Sequence, residues 1–302
     1  MNTIKILCLV ALFMTAQKIF TKAPHPRMLV PQRLTPTREL PMLKNNDGKK
    51  RAIIIGASSG MGNALAKKLL DNGYLVGVTA RRLEPLQELQ KKYGINVFVQ
   101  QMDISKPKES VTVLNTLINA MNGMDLCVIA ATGYNDADQE ARAWDFNNPI
   151  LAVDVLGFSA LARTAINFFE LQNAGHLVGF SSVDGYQGRA GCPDYSAAKA
   201  YITRFLEAER NRCMQLNLPI TVTELAPGWV SVSPEYEAVL AKLPAAYWVE
   251  SLDDATTSIY KAIQDKTPVA YVTERWGKVV DLFKVIPNDL YNALSARPGG
   301  TL

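Results

Sequence analysis

Tyr195-Ser196-Ala197-Ala198-Lys199 sets a phenol and an ammonium four residues apart, a spacing that brings both to one face of a helix. A free phenol, with a pKa of about 10, is no base at neutral pH. Lowering it by roughly three units takes roughly 4 kcal/mol of preferential phenolate stabilisation, for which a neighbouring ammonium is one source. Taken alone, the spacing also describes an ordinary exposed pair. Ser182 lies thirteen residues upstream in Ser181-Ser182-Val183-Asp184-Gly185 and adds a hydroxyl at the end of a predicted strand. Proton transfer is the chemistry these groups suit. Hydrolysis by an activated serine is not expected, because Ser182 has no sequence-evident histidine partner. The chain's two histidines, His25 and His176, are far apart and lack ligand-spaced neighbours, so no metal site is expected.

A second cluster points to a phosphate. Arg51–Ile55 is a β-branched run that ends in Gly56-Ala57-Ser58-Ser59-Gly60-Met61-Gly62, and a helical pattern follows. Glycines at these positions allow a sharp turn and let backbone approach a pyrophosphate, whose charge a helix N-terminus stabilises. After the next predicted strand the chain reads Thr79-Ala80-Arg81-Arg82. An acidic residue there would bind the ribose hydroxyls of NAD. Arg81 and Arg82 instead suit a 2′-phosphate and so NADP, with a solvated basic turn as the plainer alternative.

These groups must be carried by alternating strands and helices. Strands are predicted at 51–55, 74–80, 96–101, 126–130, 176–180, 220–225 and 269–273. Helices are predicted at 60–72, 86–93, from Pro107 with Ser105 as cap, around 150–171, 195–216, and 252–265 with Ser251 as cap. This alternation predicts one α/β domain: a doubly wound, Rossmann-like parallel sheet of about seven strands with helices on both faces and ligands at the strands' carboxyl ends.

In order along the chain, the glycine turn, Ser182, Tyr195, Lys199 and Pro227-Gly228-Trp229-Val230 resemble the short-chain dehydrogenase/reductase family over about residues 50–275. The resemblance implies that Ser182 hydrogen-bonds the substrate oxygen and that Tyr195 transfers the proton. Lys199 would tune Tyr195 and hold the nicotinamide ribose. It further implies that Asp103 and Ile104 meet the adenine and that Pro227, Gly228 and Val230 flank the nicotinamide. Four positions depart from the family pattern. Ile55 replaces a Thr before the turn. Ala130-Ala131-Thr132 replaces Asn-Ala-Gly after strand four. Val232 replaces a Thr, with Ser231 and Ser233 beside it. Asp154 stands where the family's catalytic tetrad has Asn; when ionised it would favour a protonated Lys199 if the two were close.

Composition is that of a globular protein: 302 residues, 48% hydrophobic, 20% charged, formal charge +4. The positive excess lies wholly in residues 1–50, at net +7, while the remainder is net −3, so the charge is poor evidence for nucleic-acid binding. Residues 1–48 form a basic leader with an apolar stretch at Ile6–Ala16 and five prolines between Pro24 and Pro41. Three readings stay open: membrane association, a misassigned start at Met28 or Met42, and cleavable export. No apolar run reaches the roughly 18–20 residues that span a bilayer. Cys8, Cys127, Cys192 and Cys213 form no paired motif and suit a reducing, cytoplasmic setting. Cys127 reads as packing, and Cys192 as filler or pocket lining.

The resulting expectation is an NADP(H)-dependent oxidoreductase, domain 49–302, acting on a small carbonyl or secondary-alcohol substrate. The competing class is a catalytically impaired NADP-binding sensor. The family resemblance implies a homodimer or homotetramer, with Phe168, Phe169, Tyr201 and Phe205 as seam or core. A substrate pocket is expected from 184–194 and 231–248; the stripe Trp276, Val279, Val280, Phe283 is read first as packing over it, then as a partner surface, and third as a membrane-surface helix with the leader.

Overall fold

The computed structural model describes residue 33 and residues 48–133, 148–189, 192–233, 237 and 248–295, the side chains of 283, 288, 294 and 295 excepted. The leader's apolar and proline-rich stretches, most of 234–247, and residues 190–191 lie outside the described residues.

Strand β1 (Arg51–Ile55) is buried at all five positions, as a strand covered on both faces must be. It leads into α1 (Gly60–Asp71), β2 (Leu75–Ala80), α2 (Glu84–Tyr93) and β3 (Val97–Gln101). Next come α3 (Pro107–Ala120), β4 (Leu126–Ile129), a π-helical stretch (Leu151–Gly157) continuous with α4 (Phe158–Gln172), and β5 (Gly175–Phe180). A 3₁₀ turn (Val183–Gly185) precedes α5 (Pro193–Gln215) and β6 (Ile220–Pro227). The short pair β7 (Val230–Ser231) and β8 (Glu250–Ser251) is followed by α6 (Leu252–Gln264), β9 (Val269–Val272), α7 (Glu274–Val285) and α8 (Asn288–Ser295).

The main sheet has seven parallel strands in the order β3-β2-β1-β4-β5-β6-β9. Chain order reverses between β1 and β4, and the crevice beyond their carboxyl ends is where such sheets bind ligands. The two-residue alternation of β1 sorts its side chains between two cores. Ile53 and Ile55 join Leu114, Leu117, Phe158, Leu161, Phe169 and Leu206 on one face. Ala52 and Ile54 join Leu65, Leu69, Val76, Val128, Leu225 and Ile259 on the other.

Several expectations are corrected. Ser105 does not cap α3; its hydroxyl donates instead to Asp103 Oδ1 (2.7 Å), and the capping position falls to Lys106 without a side-chain bond. Ser251 does cap α6, accepting from the Asp254 amide at 3.1 Å. The long helix begins as a π-helical stretch rather than an α-helix. By length and composition Leu151–Gln172 also meets the requirement for crossing a membrane, which no sequence run was expected to do. Its apolar side, with Phe158, Leu161, Ala165 and Phe169, is nonetheless part of the sheet core. Phe169 and Phe205 are likewise core, and Phe205 meets Phe158 edge-on at 5.7 Å.

His176, on β5, is buried at the end of the sheet opposite the crevice. Thr223 gives its one hydroxyl proton to Thr267 O (2.8 Å), so His176 Nε2, 2.8 Å away, must be the donor in that pair. Burial, aided by Lys266, lowers its pKa to about 4. Between the unfolded value of 6.5 and that value the unfolded chain binds more protons, so stability rises with pH across the window. Taking the protein from about pH 8 to about pH 5 should therefore remove about 2 kcal/mol of stability through this residue alone. Chemical denaturation at the two pH values should show that loss, and His176→Gln should reduce it.

Candidate active site

The glycine turn is built by close backbone approach. Gly56 has φ +98° and its absent Cβ would lie 2.5 Å from Ala131 N; a Cβ on Gly62 would lie 2.2 Å from Gly56 O. Ala130 and Ala131 both donate to Ile55 O, at 2.8 and 3.0 Å, which holds the end of β4 against the turn. The first turn of α1 contains no acidic residue, and the N-cap Ser59 makes no side-chain capping bond. Gly60 and Met61 open this helix, so its amide end is available to an anion. Arg82, from the end of β2, donates to Ser58 Oγ (3.3 Å) and Ser59 Oγ (3.2 Å). The guanidinium and two hydroxyls thus converge beside the turn. Arg81 is exposed, and its carbonyl accepts from Gln101 Nε2 (2.7 Å). These features fit the phosphates of a dinucleotide.

Asp103 and Ile104 follow β3 as expected. Asp103 Oδ1 accepts from the Ser105 amide and hydroxyl, which fixes the turn. Ile104 is buried, and its carbonyl lies where a Gly157 Cβ would be, at 2.1 Å, so only glycine lets the π-helical stretch pack there. Val232 packs 3.6 Å from a Cβ position on Gly60, while Ser231 donates to Glu237 Oε2 (3.3 Å). Gly228 accommodates the Trp276 indole, whose Nε1 is 2.0 Å from its Cβ position. Val230 is buried and pairs with Glu250.

Ser182, Tyr195 and Lys199 come together at the carboxyl end of β5. Ser182 hydrogen-bonds Tyr195, accepts from the Asp184 amide (3.1 Å), and donates to Pro227 O at 3.5 Å. Lys199 Nζ lies 5.4 Å from the Tyr195 ring centroid and donates to Phe180 O at 3.3 Å. It is also 3.5 Å from Asp154 Oδ1, with the lysine 2% and the aspartate 0% exposed. Asp154 Oδ2 accepts from Thr132 Oγ1 at 3.0 Å. The proximity on which the effect of Asp154 depends is therefore present, and Thr132 is drawn into the same group.

Burial pushes the Tyr195 phenol above its usual value of 10.0, helped by Asp184 and Asp154; the Ser182 hydrogen bond and Arg189 oppose this. The direction is opposite to the lowering expected from Lys199. A phenol raised in this way keeps its proton at neutral pH.

Beside these groups a cavity is lined by Asp184, Arg189, Trp229, Trp276 and Tyr291 among others. Arg189 pairs with Asp184 (3.4 Å) and its Nε donates to Cys192 Sγ (3.0 Å), making Cys192 a support for the wall. Trp276 and Val280 are buried with Val183 and bring α7 over the site, as the stripe predicted; the Phe283 side chain lies outside the described residues. Cys127 is buried packing, its thiol pushed up to about 12 by burial.

Glu224 was missed. Its Oε1 accepts from Ser181 (2.6 Å), Thr203 (2.7 Å) and Tyr186 (3.1 Å), tying β5, α5 and the 3₁₀ turn to β6 directly behind the site. The available signal was an acidic residue inside the otherwise apolar and β-branched run 220–225. Among the described residues no group of three or more metal-ligating side chains occurs.

Residues 50–241 match the family model for short chain dehydrogenases. The chain belongs to the short-chain dehydrogenase/reductase family. An uncharacterised oxidoreductase of Myxococcus xanthus is 30% identical over 82% of this chain and 97% of its own length. A probable NADP-dependent dehydrogenase of Haemophilus influenzae is 30% identical over 51% of this chain and 62% of its own. The solved structure of ElxO with NADP bound superposes with a TM-score of 0.65 at 18% identity, covering 74% of this chain and 97% of that one. Members of this oxidoreductase family use a nicotinamide cofactor.

Gly56→Ala tests the close approach at its base. It combines a backbone clash with a conformation that L-residues avoid, and should cost about 2 kcal/mol or more, read as a fall in the urea midpoint.

Proposed function

We propose that the protein is an NADPH-dependent reductase of small carbonyl compounds. The observation that carries this reading is the convergence of buried Ser182, a half-buried Tyr195 whose phenol is held above its usual value, and buried Lys199 at the crevice edge. Preference for the phosphorylated cofactor is supported by Arg82 with Ser58 and Ser59, by the absence of a carboxylate at the end of β2, and by the NADP named for two similar proteins.

Gly56, Gly60, Met61 and Gly62 would hold the pyrophosphate, Arg82 and Arg81 the 2′-phosphate, and Asp103 the adenine end. Ala130 to Thr132, Lys199, Pro227, Gly228 and Val230 would border the nicotinamide riboside. Bound there, the reduced nicotinamide supplies hydride to the carbonyl carbon. Ser182 then turns its hydroxyl from Pro227 O toward the carbonyl oxygen and orients it. As negative charge grows on that oxygen, the Tyr195 O–H bond breaks and its proton passes to the oxygen, leaving phenolate. The Lys199 ammonium stabilises that phenolate across the short distance to the ring. Trp229 and Trp276 supply apolar wall to the cavity.

A second reading, a dinucleotide-binding sensor, draws on the charge of Asp154 beside Lys199. NADPH consumption across sugars, steroids, acyl thioesters and small ketones separates the two. Turnover should occur with at least one class and fall roughly 10²-fold or more in Tyr195→Phe, with NADPH binding retained. Binding without turnover on every class would favour the sensor. Arg82→Ala should weaken NADPH binding about tenfold or more while barely changing NADH binding, and Arg81→Asp should shift preference toward NADH; calorimetric titration reads both.

A further inference from the structure

Asp154 puts a buried carboxylate where the family's catalytic tetrad has an uncharged amide. Its Oδ2 is held by Thr132, and its Oδ1 makes no hydrogen bond, facing the Lys199 ammonium at 3.5 Å. The π-helical stretch supplies the geometry. Its wider turn presents Val153, Asp154 and Gly157 inward, with Gly157 seated on the Ile104 carbonyl, so the carboxylate is fixed by backbone on one side and Thr132 on the other. Lys199 meanwhile donates to Phe180 O and lies over the Tyr195 ring. The ammonium is therefore drawn toward two acceptors on the side of β5 and the π-helical stretch.

We propose that Asp154 is a positioning residue acting through Lys199: by pairing with the buried ammonium it keeps the transferable proton on Tyr195 into alkaline solution, so that carbonyl reduction persists there. An uncompensated ammonium beside a phenol favours phenolate, and a carboxylate on the same ammonium cancels much of that pull. The low polarity of the site strengthens the effect, because neither charge is screened by water. Among the described residues, the charged groups that bear on Tyr195 are Asp184 from the 3₁₀ turn, Arg189 from the loop beyond it and Asp154 from the π-helical stretch, while Lys199 of its own helix lies 5.4 Å from its ring. Asp184 is itself paired with Arg189, and among these described groups Asp154 is the one that pairs with the lysine.

This inference rests on Tyr195 being the proton donor, and the test separates the two. Tyrosinate absorbance is titrated on the full chain without cofactor, each protein being compared with its own Tyr195→Phe counterpart so that the difference reports Tyr195. The pH profile of kcat/KM for reduction is measured alongside. Asp154→Asn should move the Tyr195 titration and the alkaline limb of the profile down together by about one pH unit or more, a roughly tenfold loss of activity on the alkaline side. Asp154→Ser, a neutral residue of different shape, should give the same downward shift, and it serves if the Asn variant does not fold. A titration and limb that stay in place in the neutral variants would overturn the proposal. Persistent turnover in Tyr195→Phe would instead sink the proton-donor reading, while the titration would still report on Asp154.

Discussion

An ammonium cannot be buried without something negative beside it, and Lys199 is 2% exposed. Meeting that requirement ties together elements from four parts of the chain. Phe180 O ends β5, Asp154 comes from the π-helical stretch, Thr132 follows β4, and Lys199 itself rides on α5. Such a pair is weak evidence for stability, since desolvation offsets much of its attraction. Its value is positional. It fixes the charge next to the Tyr195 phenol.

The sheet makes this arrangement attainable. Parallel strands covered on both faces leave polar groups little place except the strand ends, and the crevice between β1 and β4 gathers them. Glu224 braces the back of the site by accepting three hydroxyls, one of them from the residue before Ser182 and another from a position one turn beyond Lys199. On the outer side the indole of Trp276 lies against Gly228 and donates to Trp248 O at 3.1 Å, which brings α7 down on the loop after β6. Gly228 is thus explained by packing as much as by access for a ligand.

Much of this was legible in the sequence because it depends on local pattern. The apolar β run before Gly56 and the spacing of the three glycines place the turn, and the i to i+4 pair places Tyr195 and Lys199 on one helix. Strand ends were right to within a residue or two, the limit set by fraying. What was not legible depends on contacts across the chain. Nothing local shows that Ser105 turns to Asp103, that Thr132 reaches Asp154, or that Glu224 serves three hydroxyls at separations of 21 to 43 residues. The direction of the phenol's shift is hidden for the same reason: the sequence shows a lysine four residues away, but not the burial and the two carboxylates that push the phenol up.

The central claim is that these groups reduce a carbonyl at the expense of NADPH. The most direct measurement is isotope transfer: NADPH deuterated at the transferable C4 position is incubated with the full chain and a ketone panel, and products are read by mass spectrometry. One deuterium on the new carbinol carbon is the predicted result, with the hydroxyl proton drawn from solvent. NADPH that binds with its label untouched across the panel would contradict the account.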